Sequence, residues 1–163
     1  VVKREVGGVF FIDEAYSLMG DNFGQEATNT ILPMLLDYKG KMVCIAAGYP
    51  REIRQWIDTN SGLESRFTKV IHFEDYNPDE LAQIFRMKAK KDKLTLTPEA
   101  ENAMRVYFTD LYNRRERNFA NAREVNNYFD RVKKNQSSRL RHEMERPDFD
   151  PASYSILLPE DMG

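Results

Sequence analysis

The sequence holds one cysteine, two histidines and one tryptophan in 163 residues, and it has no long apolar run. A lone cysteine cannot form an internal disulfide. Cys44 lies inside the apolar run from Met42 to Ala47 and reads as a small core residue, which fits a reducing compartment and a cytoplasmic location. With no CxxC pair and no HExxH spacing, a zinc site is unsupported, and nothing resembles a nucleophile elbow. A membrane helix needs about 20 consecutive apolar residues, so no membrane partner is expected. Charge of one sign is lacking as well: 24 basic against 26 acidic side chains leave a formal charge of −2, which argues against a dedicated nucleic-acid binder. What remains is a globular composition, 41% hydrophobic and 31% charged, sufficient for one sizeable core or two small ones. The chain does not begin with Met, and its first residues read as the end of an element already under way. A piece of a longer protein is expected.

The stretch that organises the chain is Gly7-Gly8-Val9-Phe10-Phe11-Ile12-Asp13-Glu14-Ala15. Four apolar residues without alternation predict a strand buried on both faces, as in a parallel sheet covered by helices. Such a strand delivers Asp13 and Glu14 to the carboxyl edge of the sheet, where open α/β folds bind ligands. Two carboxylates there cost desolvation and mutual repulsion unless something positive is near, and a divalent cation carrying nucleotide phosphates is the leading candidate. Otherwise Asp13 caps the next helical segment and Glu14 is solvated.

Val9-Phe10-Phe11-Ile12-Asp13-Glu14 resembles the Walker B segment of AAA+ ATPases. Its continuation, Ala15-Tyr16-Ser17-Leu18 followed by Gly24-Gln25-Glu26-Ala27, resembles the branch containing the red-type rubisco activase and stage V sporulation protein K. The resemblance implies an α/β fold: part of an AAA+ three-layer sandwich, with the third, fourth and fifth parallel strands and flanking helices, followed by an all-α lid. It implies that Asp13 holds Mg²⁺, largely through water, and that Glu14 polarises the water attacking the γ-phosphate of ATP. The expected partners are identical subunits in a hexameric ring and a protein substrate.

Further along, Ala27, Ile31, Met34, Leu35 and Tyr38 recur at helix spacing, interrupted by Pro33, which predicts a kink or a helix starting only a few residues earlier. Met42–Ala47 is the second expected strand. Gly48 and Tyr49 stand at its end, where the family carries the sensor 1 residue, usually a polar Asn, Thr or Ser. Tyr49 either reaches with its hydroxyl or packs as an aromatic. Residues 51–59 read as a helix, and Val70–Phe73 as a third short strand. Arg66, just before it, stands where the resemblance implies an arginine projecting into the neighbouring subunit's site; the plain alternative is a surface arginine paired with Glu64 or Asp58.

Asn77-Pro78-Asp79-Glu80 and Thr97-Pro98-Glu99 each combine an N-cap with proline at the first helical position, so two helices are expected from these points. Asn121-Ala122-Arg123-Glu124 predicts a third, also N-capped. Phe119–Arg123 resembles the lid's sensor 2 segment, whose arginine, here Arg123, reaches back to the phosphates. An arginine in a first helical turn opposes the helix dipole, which favours an anion nearby over a simple ion pair. Residues 131–146 read as a solvated, charge-rich helix face. The expected division is residues 1–75 as the C-terminal part of the nucleotide-binding core, 76–146 as the helical lid and 147–163 as a tail packing on it.

No GxxxxGK[ST] stretch occurs, so the chain has no phosphate-cradling loop of that type. The ATPase expectation therefore attaches to a parent protein, and this chain alone is expected to be inactive. The alternative is a non-catalytic interaction module that docks a partner on its helices.

Overall fold

The computed structural model describes residues 7–116 and 119–163. The chain divides into two compact units, Val1–Phe73 and Glu74–Gly163.

In the first unit, strand β1 (Val9–Ile12) pairs in parallel with β2 (Val43–Ala46), in the register Val9↔Val43 to Ile12↔Ala46. Between them run a 3-10 turn, Ala15–Met19, and helix α1, Asn22–Asp37. The Asp21 carboxylate caps α1 by accepting from the Gly24 amide at 2.7 Å. Pro33 sits inside α1, well past its first turn, so the helix continues through the proline. Helices α2 (Pro50–Asp58) and α3 (Ser61–Glu64) follow. Ala15, Leu32, Trp56, Ile57 and Leu63 form the buried core of this unit.

Two expectations fail here. The strands are not buried on both faces: Val9, Phe11, Val43 and Ile45, which face the same way by strand alternation and register, are 44–56% exposed. Nor do residues 70–73 form a strand, and Val70, Ile71 and Phe73 are 82%, 69% and 87% exposed. The physical reason is the same in both cases. A strand exists only through a partner, and β1 and β2 pair only with each other among the described residues. In the strand order that the resemblance implies, the fifth strand neighbours the first, which is not among these residues. The observed α/β unit is thus a two-stranded parallel sheet with helices, not the expected three strands.

The second unit is built on three helices: α4 (Pro78–Lys91), α5 (Pro98–Asn113) and α6 (Ala122–Glu143). Asn77 and Glu80 form a reciprocal capping box, with bonds of 3.0 and 2.8 Å, and the Thr97 hydroxyl accepts from the Ala100 amide at 3.2 Å. Leu81 and Phe85 from α4, Met104 and Phe108 from α5, and Val125, Tyr128, Phe129 and Val132 from α6 pack into one core. Phe85 contacts the rings of Phe108, Tyr128 and Phe129 at 5.2–6.1 Å, largely edge-on or tilted, the arrangement favoured by aromatic quadrupoles.

Residues beyond α6 close this unit. Strand β4 (Ile156–Leu157) pairs in parallel with β3 (Thr95–Leu96). Arg139 Nε and Nη2 grip the buried Asp161 carboxylate at 2.9 and 3.0 Å, and Gln136 Nε2 donates to the Tyr154 and Ile156 carbonyls. The expectation of a solvated face over residues 131–146 therefore fails at Gln136 and Arg139, which bond to the last 20 residues. Asn121 differs as well. It adopts φ 51°, and its side chain makes no cap bond; it accepts from the Tyr76 amide and donates to Asp75, both at 2.8 Å.

Candidate functional site

The carboxyl end of the strand pair is stitched by backbone bonds beyond the strands: Ala47 N–H donates to Ile12 O at 2.8 Å and Ala15 N–H to Ala47 O at 3.0 Å. Residues 13–15 and 47–49 are therefore neighbours. At this edge Asp13 and Glu14 are both exposed, and Asp13 Oδ1 accepts from the Glu14 amide at 3.0 Å. Glu14 has φ 47° and ψ 45°, a left-handed conformation that costs a non-glycine residue about 1 kcal/mol. The left-handed turn ends the strand and starts the 3-10 turn at Ala15, which is fully buried and anchors it.

Two tyrosines flank the carboxylates. Tyr16 and Tyr49 have ring centroids 6.3 Å apart and tilted by 31°. Gly48 makes this possible, because a Cβ there would meet the Tyr16 ring at 2.8 Å and Ile53 at 3.0 Å. Partial desolvation raises the Tyr16 phenol above its ordinary value, and Glu14, Tyr49, Glu52 and Asp13 push it in the same direction. Tyr49 thus belongs to a packed aromatic pair, and it is also 40% exposed. Tyr16 and Glu52 are members of this edge that the sequence reading did not single out as site residues, and Gly48, noted there only for its place at the strand end, is the residue that admits the Tyr16 ring. Tyr16 was detectable by its position two residues past Glu14; Glu52 is recognisable only once β2 is set beside β1.

No group of three or more His, Cys, Asp or Glu side chains is placed to hold a metal among the described residues. Mg²⁺ bound with a nucleotide commonly takes one or two protein carboxylates, the remaining positions going to phosphate oxygens and water. The Asp13 and Glu14 pair fits that demand.

Arg66 lies in the same unit, just after α3. Its Nε donates to the Leu32 carbonyl at 3.0 Å, and its Nη1 donates to the Gly62 carbonyl at 2.8 Å and to Ser65 Oγ at 3.1 Å. It pairs with neither Glu64 nor Asp58, the latter being held by Arg54 at 3.2 Å. Arg123 lies in the second unit, in the first turn of α6 and exposed, and its side chain makes no hydrogen bond or ion pair among the described residues. The structure thus brings Asp13, Glu14 and Tyr49 to one sheet edge, anchors Arg66 at the α1–α3 corner, and puts Arg123 on the other unit.

No helix among the described residues is long and apolar enough to cross a membrane. Residues 77–163 match the AAA lid domain family. The chain is 37% identical over 166 residues to Protein CbbX of Cereibacter sphaeroides, an alignment covering 99% of this chain and 53% of that protein. It is 38% identical to Protein CfxQ of Xanthobacter flavus, covering 86% of this chain and 45% of that protein. It is 37% identical to the chloroplastic ribulose bisphosphate carboxylase/oxygenase activase of Cyanidioschyzon merolae, covering 86% and 48%. The chain spans about half the length of the curated relatives it matches. With the lid match covering more than half of its residues and these relatives aligned along most of its length, the chain belongs to the AAA lid domain family, as a CbbX/CfxQ-like member of the AAA+ proteins.

Proposed function

We propose that this chain is part of an AAA+ ATPase, which couples ATP binding and hydrolysis to remodelling of a protein partner and works in the cytoplasm as a hexameric ring of identical subunits. The observation that carries the reading is the adjacent carboxylate pair, Asp13 and Glu14, at the carboxyl end of a parallel strand pair in a chain of this family. Mg²⁺ arriving with ATP would supply charge neutralisation between the phosphates. Asp13 would hold that ion. Glu14, turned out of the strand line by its left-handed backbone, orients and polarises the attacking water. Tyr49 stands in the sensor 1 place with its hydroxyl available at the same edge. Arg66 completes a neighbouring subunit's site, and Arg123 binds phosphate from its own lid, which accounts for an exposed guanidinium in a first helical turn with no partner among the described residues. In this reading residues 1–75 belong to the nucleotide-binding core, 76–146 to the lid and 147–163 to a tail packed on it.

The test is made in an AAA+ protein that carries this sequence together with a phosphate-binding loop. Glu14→Gln is expected to retain ATP binding and to lower turnover by about 100-fold, the scale of a lost general base. Asp13→Asn is expected to raise the Mg²⁺ concentration needed for half-maximal turnover. Wild-type hydrolysis by Glu14→Gln would remove the site from this strand end, leaving the chain an interaction module.

A further inference from the structure

We propose that Arg66 is a pre-positioned anion ligand, held by its own subunit through Nε and Nη1 and offering Nη2, with Gly62 as a positioning residue of that clamp. The inference rests on the proposed trans role of Arg66. A guanidinium has five N–H donors in a rigid plane. Three of them are spent inside the unit: Nε on Leu32 O at 3.0 Å, and Nη1 on Gly62 O at 2.8 Å and Ser65 Oγ at 3.1 Å. The two donors of Nη2 have no partner among the described residues. Two carbonyls and a hydroxyl carry no net charge, so the clamp fixes the plane of the group without neutralising it. That combination is what binding an anion requires and what a structural ion pair would spoil.

The clamp is built from separate pieces of the unit. Leu32 lies in α1, 34 residues from Arg66, while Gly62 and Ser65 belong to the α3 turn. Ser65 Oγ also donates to Gly62 O at 3.0 Å, and the Gly62 amide donates to Asn60 Oδ1 at 2.8 Å, so both carbonyl and amide of Gly62 are engaged. A Cβ at position 62 would stand 2.9 Å from Asn60 Oδ1 and 3.3 Å from both Arg66 Nη1 and Leu32 Cδ1. A side chain here would press on the Asn60 cap first and would also push the guanidinium and Leu32 by a few tenths of an ångström, so the glycine serves the packing of this seat and not a backbone angle. The clamp lowers the entropy lost when an otherwise flexible arginine binds, and it selects arginine over lysine, whose single ammonium cannot fill three acceptors and still present a separate donor group to an anion.

The experiment uses the complete AAA+ protein carrying this sequence, with ATP turnover measured for Gly62→Ala, Arg66→Ala and Arg66→Lys, alone and in rings mixed with Glu14→Gln subunits. The expected result is a kcat fall of about tenfold for Gly62→Ala with KM little changed, and a larger fall for Arg66→Ala. Arg66→Lys should be within about threefold of Arg66→Ala. Mixing with Glu14→Gln should restore turnover to Gly62→Ala and Arg66→Ala alike, because an intact Glu14 then faces an intact clamped arginine. Wild-type turnover by Gly62→Ala, or a loss that mixing does not repair although mixed rings form, overturns the inference. If Gly62→Ala does not assemble, Arg66→Lys decides, and more than half of wild-type turnover overturns it. Full turnover by Glu14→Gln alone would instead defeat the functional reading beneath it, so the two failures are distinguishable.

Discussion

The two units of this chain satisfy their apolar surface in different ways. The second closes on itself: Phe85, Phe108, Met104, Leu157, Val125 and Val132 are each fully buried, and the residues after α6 are pinned down by Arg139, Gln136 and Asn135. The first has, among the described residues, a core of five buried side chains, an open strand face from Val9 to Ile45, and an exposed stretch without regular structure at residues 70–73. Helices satisfy their own backbone and need neighbours only for their apolar stripe, whereas strands need partners for both. A unit built on two strands is consequently left with more unmet demand than one built on three helices. Its exposed apolar face and strand edges are routes to association.

The comparison can be broken or sharpened by mutation, because Trp56, the chain's one tryptophan, lies in the first unit and reports on it alone. Phe85→Ala removes the ring at the centre of the second core and should cost that unit about 4 kcal/mol. The denaturant midpoint read by far-UV circular dichroism should fall while the Trp56 fluorescence transition stays in place. A shared shift of both signals would mean that the units unfold as one.

Asp161→Ala should come next, at about 2 kcal/mol, because the nearly buried Arg139 keeps Glu143 at 3.0 Å but loses the carboxylate that accepts from its Nε and Nη2. The same two signals read it, and the loss should again appear only in the dichroism. An unchanged midpoint would show that the last residues are dispensable to this unit.

The smallest effect is one of pH. The Glu101 carboxyl lies below its ordinary value, chiefly because Arg86 donates to it, with Arg105 at 3.3 Å helping. A depressed folded value gives stability that is present above the unfolded value of about 4.5 and is lost as the pH falls through the folded value. The second unit's midpoint should therefore drop on acidification below that range, and Glu101→Gln should flatten the drop. An identical acid slope in wild type and Glu101→Gln would remove this contact from the account.

What the sequence made legible follows the same division. The starts of α4 and α5 were readable because Asn77-Pro78-Asp79-Glu80 and Thr97-Pro98-Glu99 encode their caps within four residues. β1, β2 and the carboxylates at their end were readable from an uninterrupted apolar run with a polar terminus. Residues 70–73 misled because β propensity says nothing about whether a partner strand is present. Asn121 misled because its side chain, well suited to capping, is taken by Asp75 and Tyr76, some 45 residues earlier. Arg139 looked like a surface charge in a charge-rich chain, and only its long-range contact to Asp161 gives it its place; Arg66 was singled out by its position, but its seat on the Leu32 carbonyl was not legible. The place of Asp13 and Glu14 at the end of β1 was legible from the apolar run before them, while the Tyr16 ring over Gly48 depends on the strand pairing and was not.

The central claim is that these residues hold the water-polarising part of a nucleotide site and not the part that grips phosphate, since no GxxxxGK[ST] loop is among them. Isothermal titration of the 163-residue chain with Mg-ATP tests it most directly. The account predicts no saturable heat of binding, with the second unit's helical signal intact in the same sample. A dissociation constant in the low micromolar range would contradict it.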